Sequence, residues 1–396
     1  MTSLARSRLA AALLAAAPAT AAPVQTPDQA FAQDAVPYAR RYGVSEDQAA
    51  TRLRALQVSS TVTDRLREAY RDRLVGISVD HSPALQIVVL LTGDAPVADT
   101  QVVAEGIAIP IRFRTGAPFS GDTVVRAMLQ RGPELTALLP NARGMGLDAR
   151  TGELVILIRS ADAARLDVAD LKAKAEAITG VRVRLDLADR PIANLSLTGG
   201  ARVEGVHSLD GKRYACTTGF AVTDGARPGI ATAAHCPDEL TFRDPDGARV
   251  TLPYVSQWGA RTQDVQVNLA PADQQPFFYA DRPAGALRKL AGARSRLSTR
   301  AGEWLCHYGE SSGYSCAEVE LTQFAPPGTL CAGACAPTWI TVRTNDCKSG
   351  DSGGPVFAGD VAFGLTKGGS GGRGARCNFY FYMSTDFLPA EWRLMR

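Results

Sequence analysis

All eight cysteines fall between Cys216 and Cys377, and the first half of this 396-residue chain has none. An even number confined to one segment reads as a disulfide framework, so that segment folds as a stapled unit distinct from the cysteine-free part before it. The count alone leaves about 105 pairings open. Disulfides persist outside the reducing cytosol, and the N-terminus agrees. Arg6 and Arg8, an apolar run from Leu9 to Ala17, and Ala19-Thr20-Ala21 as a small-residue cleavage site read as a secretory leader over residues 1–22. Pro18 ends the run well short of the roughly 20 apolar residues that a membrane span needs. The expectation is a secreted protein, extracellular or periplasmic, with no membrane partner. A net charge of +3 and a pI near 8.4, without blocks of like charge, give no reason to expect nucleic acid. The Arg-rich stretch from Arg288 to Arg300 reads as a solvated face.

The cysteine-free region, residues 23–198, reads as α+β. Residues 23 to 40 are rich in Pro, Ala and Gln and read as a loose lead-in. From Ser45, an N-cap, Ala49, Leu53 and Leu56 recur at helical spacing, and Val62, Leu66, Ala69 and Tyr70 begin a second helix. Gly76–Asp80 and Leu85–Leu91 predict a strand pair, and the pattern returns at Gly144–Asp148 and Glu153–Ile158. Residues 120–131 and 162–177 look helical, and Val181–Leu187 alternates like a strand. Beyond Gly199-Gly200 the text turns to short strands between Gly, Pro and Asp turns, at Cys216–Val222, Gly229–Ala233, Thr251–Val255, Val265–Leu269, Trp304–Tyr308, Cys316–Leu321, Thr338–Val342, Pro355–Phe357, Val361–Leu365 and Asn378–Tyr382. Such a series predicts closed antiparallel barrels over residues 199–396.

Two motifs in that half carry chemistry. A serine hydroxyl is a weak nucleophile at neutral pH and needs an imidazole to take its proton. Gly350-Asp351-Ser352-Gly353-Gly354-Pro355 offers the serine, and Thr232-Ala233-Ala234-His235-Cys236 the imidazole. The glycines let the backbone turn tightly, so that amide N–H groups of Gly350 and Ser352 converge on a developing oxyanion. Rival folds are limited by histidine supply, since the chain has only His81, His207, His235 and His307. The G-x-S-x-G elbow of α/β-hydrolases needs a histidine after the serine, and none follows Ser352. An Asp, His, Ser order would take Asp210 or Asp224, which lack the local signatures.

The two motifs resemble those of the chymotrypsin-like serine endopeptidases, and the short spacing is similar to the bacterial α-lytic protease and streptogrisin group. The resemblance implies a double antiparallel β-barrel with the site in the shared cleft. It places the third member between the motifs, where Asp264 in Thr262-Gln263-Asp264-Val265-Gln266-Val267 fits, giving a His235, Asp264, Ser352 triad. It pairs Cys216 with Cys236, Cys306 with Cys316 and Cys347 with Cys377, and leaves Cys331 with Cys335 as a small loop. Zinc is the competing reading of that last pair, but no other soft ligands cluster there, and neither metal nor cofactor is implied. Thr366, Lys367 and Gly368 fall where the group binds substrate backbone. Residues 23–198 look like the pro-region of this group, carried by Tyr42-Gly43-Val44-Ser45 and the Gly76–Thr92 hairpin. That implies an intramolecular chaperone and inhibitor, cut away between 190 and 205, for a slow-folding barrel of high contact order. The product would be a monomer acting on polypeptides. A persistent binding domain is the alternative for residues 23–198, and a catalytically silent, protein-binding homologue is the alternative for the whole.

Two positions depart from the group. His307 stands where an Arg commonly pairs with the acid before the nucleophile, which suggests a pH-sensitive pair with Asp351 unless His307 is merely exposed. Lys367 stands where relatives often carry Ser. It could disturb Asp264, or with Lys348 give the primary pocket a positive wall that prefers acidic side chains. The blander expectation is that Lys367 points outward or pairs with Asp346.

Overall fold

The computed structural model describes residues 24–165, 167–188, 192–194, 201–208, 211–243, 249–270, 274–281, 283–344, 346–370 and 377–396. The leader and most of the junction near residue 199 lie outside them.

Pro27–Tyr42 is a helix rather than a loose lead-in. Thr26 and Gln29 form a reciprocal capping box, Pro27 stands at the first turn where its missing N–H costs nothing, and Gly43 closes the helix with φ 65°. Its inward stripe of Phe31, Ala35, Tyr38 and Ala39 is buried. Glu46–Ala69 is one helix where two were expected. The helix runs through its Ser/Thr stretch because Ser59, Ser60 and Thr63 donate their hydroxyls back to carbonyls one turn earlier. The expected hairpins are present as Leu74–Asp80 with Gln86–Thr92 and Gly144–Leu147 with Leu154–Ile158. The first joins a four-stranded sheet with Ile107–Ala117 and Thr100–Ala104. The second takes Val183–Leu187 on one side and, on the other, Phe324–Ala325 from the cysteine-rich half.

Among the described residues of 201–394, nearly all strand pairs are antiparallel, and their sheets fit a β-barrel domain. One four-stranded and one five-stranded sheet precede an eight-stranded sheet that runs from Gly313–Glu318 to Ile340–Arg343. The expected strand Cys216–Val222 is divided. Arg213–Thr217 pairs with Arg202–Val206, whereas Ala221–Thr223 pairs with Pro228–Thr232 in the next sheet. The chain changes sheet at Gly219, where a Cβ would run into Leu365 and the Gly353 carbonyl.

The arginines of the 288–300 stretch are not a solvated face. Arg288, Arg294 and Arg300 are buried against the N-terminal helices. Asp34 receives both Arg288 terminal nitrogens at 2.9 and 3.1 Å, the Gly359 N–H at 2.7 Å and the Tyr314 hydroxyl at 2.7 Å. Arg300 donates to the Leu56 carbonyl and the Ser59 hydroxyl, and Glu303 holds Arg294 and Arg300 together. His81 donates from Nε2 to the Gly302 carbonyl at 2.6 Å and accepts the Tyr38 hydroxyl at Nδ1. Removing one member of such a pair strands the other charge away from water. Asp34→Ala should therefore destabilise the full chain by about 3–5 kcal/mol, read in denaturant unfolding. An unchanged midpoint would mean that Arg288 finds other compensation.

Candidate active site

His235 sits in the turn after Pro228–Thr232, held from behind by the Cys216–Cys236 disulfide. Ala233 and Ala234 are buried, leaving little room for that turn to shift. Asp264 immediately precedes the strand Val265–Leu269, and its N–H donates to the Met383 sulfur at 3.1 Å. Ser352 lies in the tight loop before Pro355–Ala358. That loop is pinned by Thr217, whose hydroxyl donates to the Gly350 carbonyl and whose N–H donates to the Ser352 carbonyl, each at 2.8 Å. Gly353 has φ 83°, and a side chain there would meet Thr232 and the Thr217 carbonyl. No other residue fits that bend.

These elements bring the three side chains together. The Ser352 hydroxyl lies 2.8 Å from His235 Nε2, and His235 Nδ1 lies 2.8 Å from Asp264 Oδ2. Since a carboxylate only accepts, Nδ1 carries the proton and Nε2 is left to accept from the hydroxyl. Asp264 is 2% exposed. Burial would raise its carboxyl, but the charges and hydrogen bonds of His235 and Lys367 overcome this and hold it at about 2.

Lys367 neither points outward nor pairs with Asp346. Its side chain is 2% exposed and its ammonium lies 3.3 Å from Asp264 Oδ1, over the ring of Trp339. A buried ammonium must find an anion, so it turns to the acid rather than forming a pocket wall. Thr366 is buried in register with Tyr382, and the backbone of Gly368–Ser370 pairs antiparallel with Ile192–Asn194.

His307 is buried and does not touch Asp351. Its Nε2 faces the Ser312 hydroxyl at 3.2 Å, while Asp351 accepts the N–H groups of Ser312 and Lys348 at 3.1 and 2.8 Å. Ser312 is thus the link between them. Burial holds His307 down at about 4, and burial pushes Asp351 up to about 6 against the hydrogen bonds from Lys348 and Ser312. Asp351 packs directly on Gly309, where any side chain would collide with it. All four disulfides join the expected partners. The Cys331–Cys335 loop braces the segment before Asp264, since Ala336 N–H and Trp339 Nε1–H both donate to the Arg261 carbonyl. Sequence reasoning missed the roles of Trp339 and Ser312.

No family model matches the chain. Streptogrisin-C of Streptomyces griseus is 27% identical over 187 residues, which cover 44% of this chain and 36% of that protein. Streptogrisin-D of the same organism is 29% identical over 210 residues, covering 48% of this chain and 46% of the relative. The chain is a relative of the chymotrypsin-like bacterial serine proteases. It spans less than half the length of these two curated relatives. Among solved structures, the Nocardiopsis protease NAPase is 22% identical, with a TM-score of 0.38 over 50% of this chain and 99% of that one. Against the pattern expected of the chymotrypsin-like proteases, the local departure at the acid is Lys367.

Proposed function

We propose that the protein is a secreted serine endopeptidase, made as a preproenzyme, that hydrolyses peptide bonds through a covalent acyl-enzyme. The observation that carries this reading is His235 suspended between the Ser352 hydroxyl and the Asp264 carboxylate at 2.8 Å on each side. Ser352 Oγ attacks the substrate carbonyl carbon as its proton passes to His235 Nε2, and Asp264 stabilises the imidazolium. The N–H groups of Gly350 and Ser352 take up the oxyanion. His235 then protonates the leaving amine as the C–N bond breaks. Water, losing its proton to His235, attacks the acyl-Ser352 ester, and His235 returns that proton to Ser352 Oγ as the ester C–O bond breaks and the acid leaves.

In the same reading, residues 1–22 are the leader, 23–198 the pro-region and 199–396 the protease. The pairing of Ile192–Asn194 with Gly368–Ser370 supports an inhibitory pro-region, because chain just before the junction occupies the strand edge that an extended substrate would use. The docking of Asp34, Ser59 and His81 on the barrel half supports a templating role in folding. A silent binding module would have no use for the assembled triad. The expected result is that secreted protein hydrolyses a mixed peptide library and begins, by N-terminal sequencing, between residues 190 and 205. Full-length secreted protein that leaves every peptide intact would overturn the proposal.

A further inference from the structure

The triad accounts for His235, Asp264 and Ser352 but leaves one buried charge unexplained. Lys367 stands on the strand Val361–Ser370, with its ammonium 3.3 Å from Asp264 Oδ1, the oxygen that His235 does not use. The ammonium also lies 5.2 Å from the centre of the Trp339 ring. Trp339 is wholly buried, and its indole N–H is tied at 3.3 Å to the Arg261 carbonyl, three residues before Asp264. The ammonium is therefore held between a carboxylate and an aromatic face, both anchored to the segment that carries the acid. A lysine placed only to fill space would not bring its charge to the one buried carboxylate of the triad.

We propose that Lys367 is a positioning residue of the triad: it grips the free oxygen of Asp264, aims the other at His235, and shifts the working range of the enzyme toward acid. The inference rests on the triad reading above. With imidazole neutral, Asp264 and Lys367 cancel, and the buried trio carries no net charge. Protonating His235 leaves that trio with a net positive charge in a dry site, a state that the carboxylate would have balanced had Lys367 been neutral. The cation thus opposes the protonation that shuts the enzyme off in acid. Among the described residues, the charged groups acting on Asp264 are His235 and Lys367. The neighbouring strand Phe379–Ser384 contributes Met383, which does not titrate, and Tyr382, whose buried hydroxyl is raised by burial and stays neutral. Trp339 has no titrating group.

The test compares mature parent enzyme with Lys367→Met, Lys367→Gln and Lys367→Arg, measuring kcat and KM on one short peptide from pH 4 to 9. In the two neutral variants the acid limb of kcat/KM should move upward by about one pH unit, through kcat with KM held. Lys367→Arg should keep the limb near the parent's. Neutral variants that turn over with the parent's acid limb overturn the inference, since a packing role predicts no such movement. Should neither neutral variant fold, the parent decides. The ammonium resonance of Lys367, followed by NMR in protein labelled at lysine nitrogen, should shift with the midpoint of the acid limb, because coupling between two sites is reciprocal. A resonance that stays still through that limb overturns the inference. A parent that neither turns over nor reacts with a fluorophosphonate defeats the protease reading itself, which distinguishes the two failures.

Discussion

Ser352→Ala is expected to lower turnover by about 10⁶-fold, the loss seen when a triad nucleophile is removed and only binding and oxyanion stabilisation remain. The substitution deletes one oxygen from a loop whose shape is set elsewhere. Thr217 holds both the Gly350 and Ser352 carbonyls, and Gly353 and Gly354 bind into the Thr366 strand and the Asp351 carbonyl. The variant should therefore fold and secrete like the parent. Turnover within tenfold of the parent would remove Ser352 from the role of nucleophile.

Asp264→Asn should cost about 10⁴-fold in turnover, because an amide facing His235 Nδ1 favours the wrong tautomer and cannot balance an imidazolium. In this chain the change has a second consequence. The neutral amide would also leave the Lys367 ammonium without its anion in a site 2% exposed, so stability should fall by about 3–5 kcal/mol as for other broken buried pairs. The double variant Asp264→Asn with Lys367→Met removes both charges and should recover most of that stability while recovering none of the activity. If stability is not recovered, Lys367 and Asp264 are not energetically coupled. Unfolding in denaturant reads the first quantity and peptide turnover the second.

Two members of the proposed triad could be nominated from local strings, a serine among glycines whose bend admits no side chain and a histidine beside a bridged cysteine. Asp264 came from the family resemblance, and the structure joins the three side chains in series at 2.8 Å per contact. The strand set was legible in outline for the same reason, as alternation and turns are local. Apart from one helix with a local signal, what escaped was set by contacts distant in the chain. The helix Pro27–Tyr42 hid behind its composition, although Thr26-Pro27-Asp28-Gln29 carries the capping box and first-turn proline that could have announced it. Arg288, Arg294 and Arg300 look like surface residues until Asp34 and the helix carrying Leu56 and Ser59 are packed on them. Lys367 and His307 were noticed as departures, but their partners could not be read from spacing. Lys367, on the eight-stranded sheet, finds Asp264 beside the five-stranded one, and His307 reaches Asp351 only through Ser312.

The most direct measurement treats secreted, mature protein with a fluorophosphonate and maps the adduct by peptide mass spectrometry. The account predicts one phosphonylated side chain, Ser352, and its disappearance in unfolded protein, where His235 no longer lies beside the hydroxyl. Active protein left unmodified, or modified at a different serine, would contradict it.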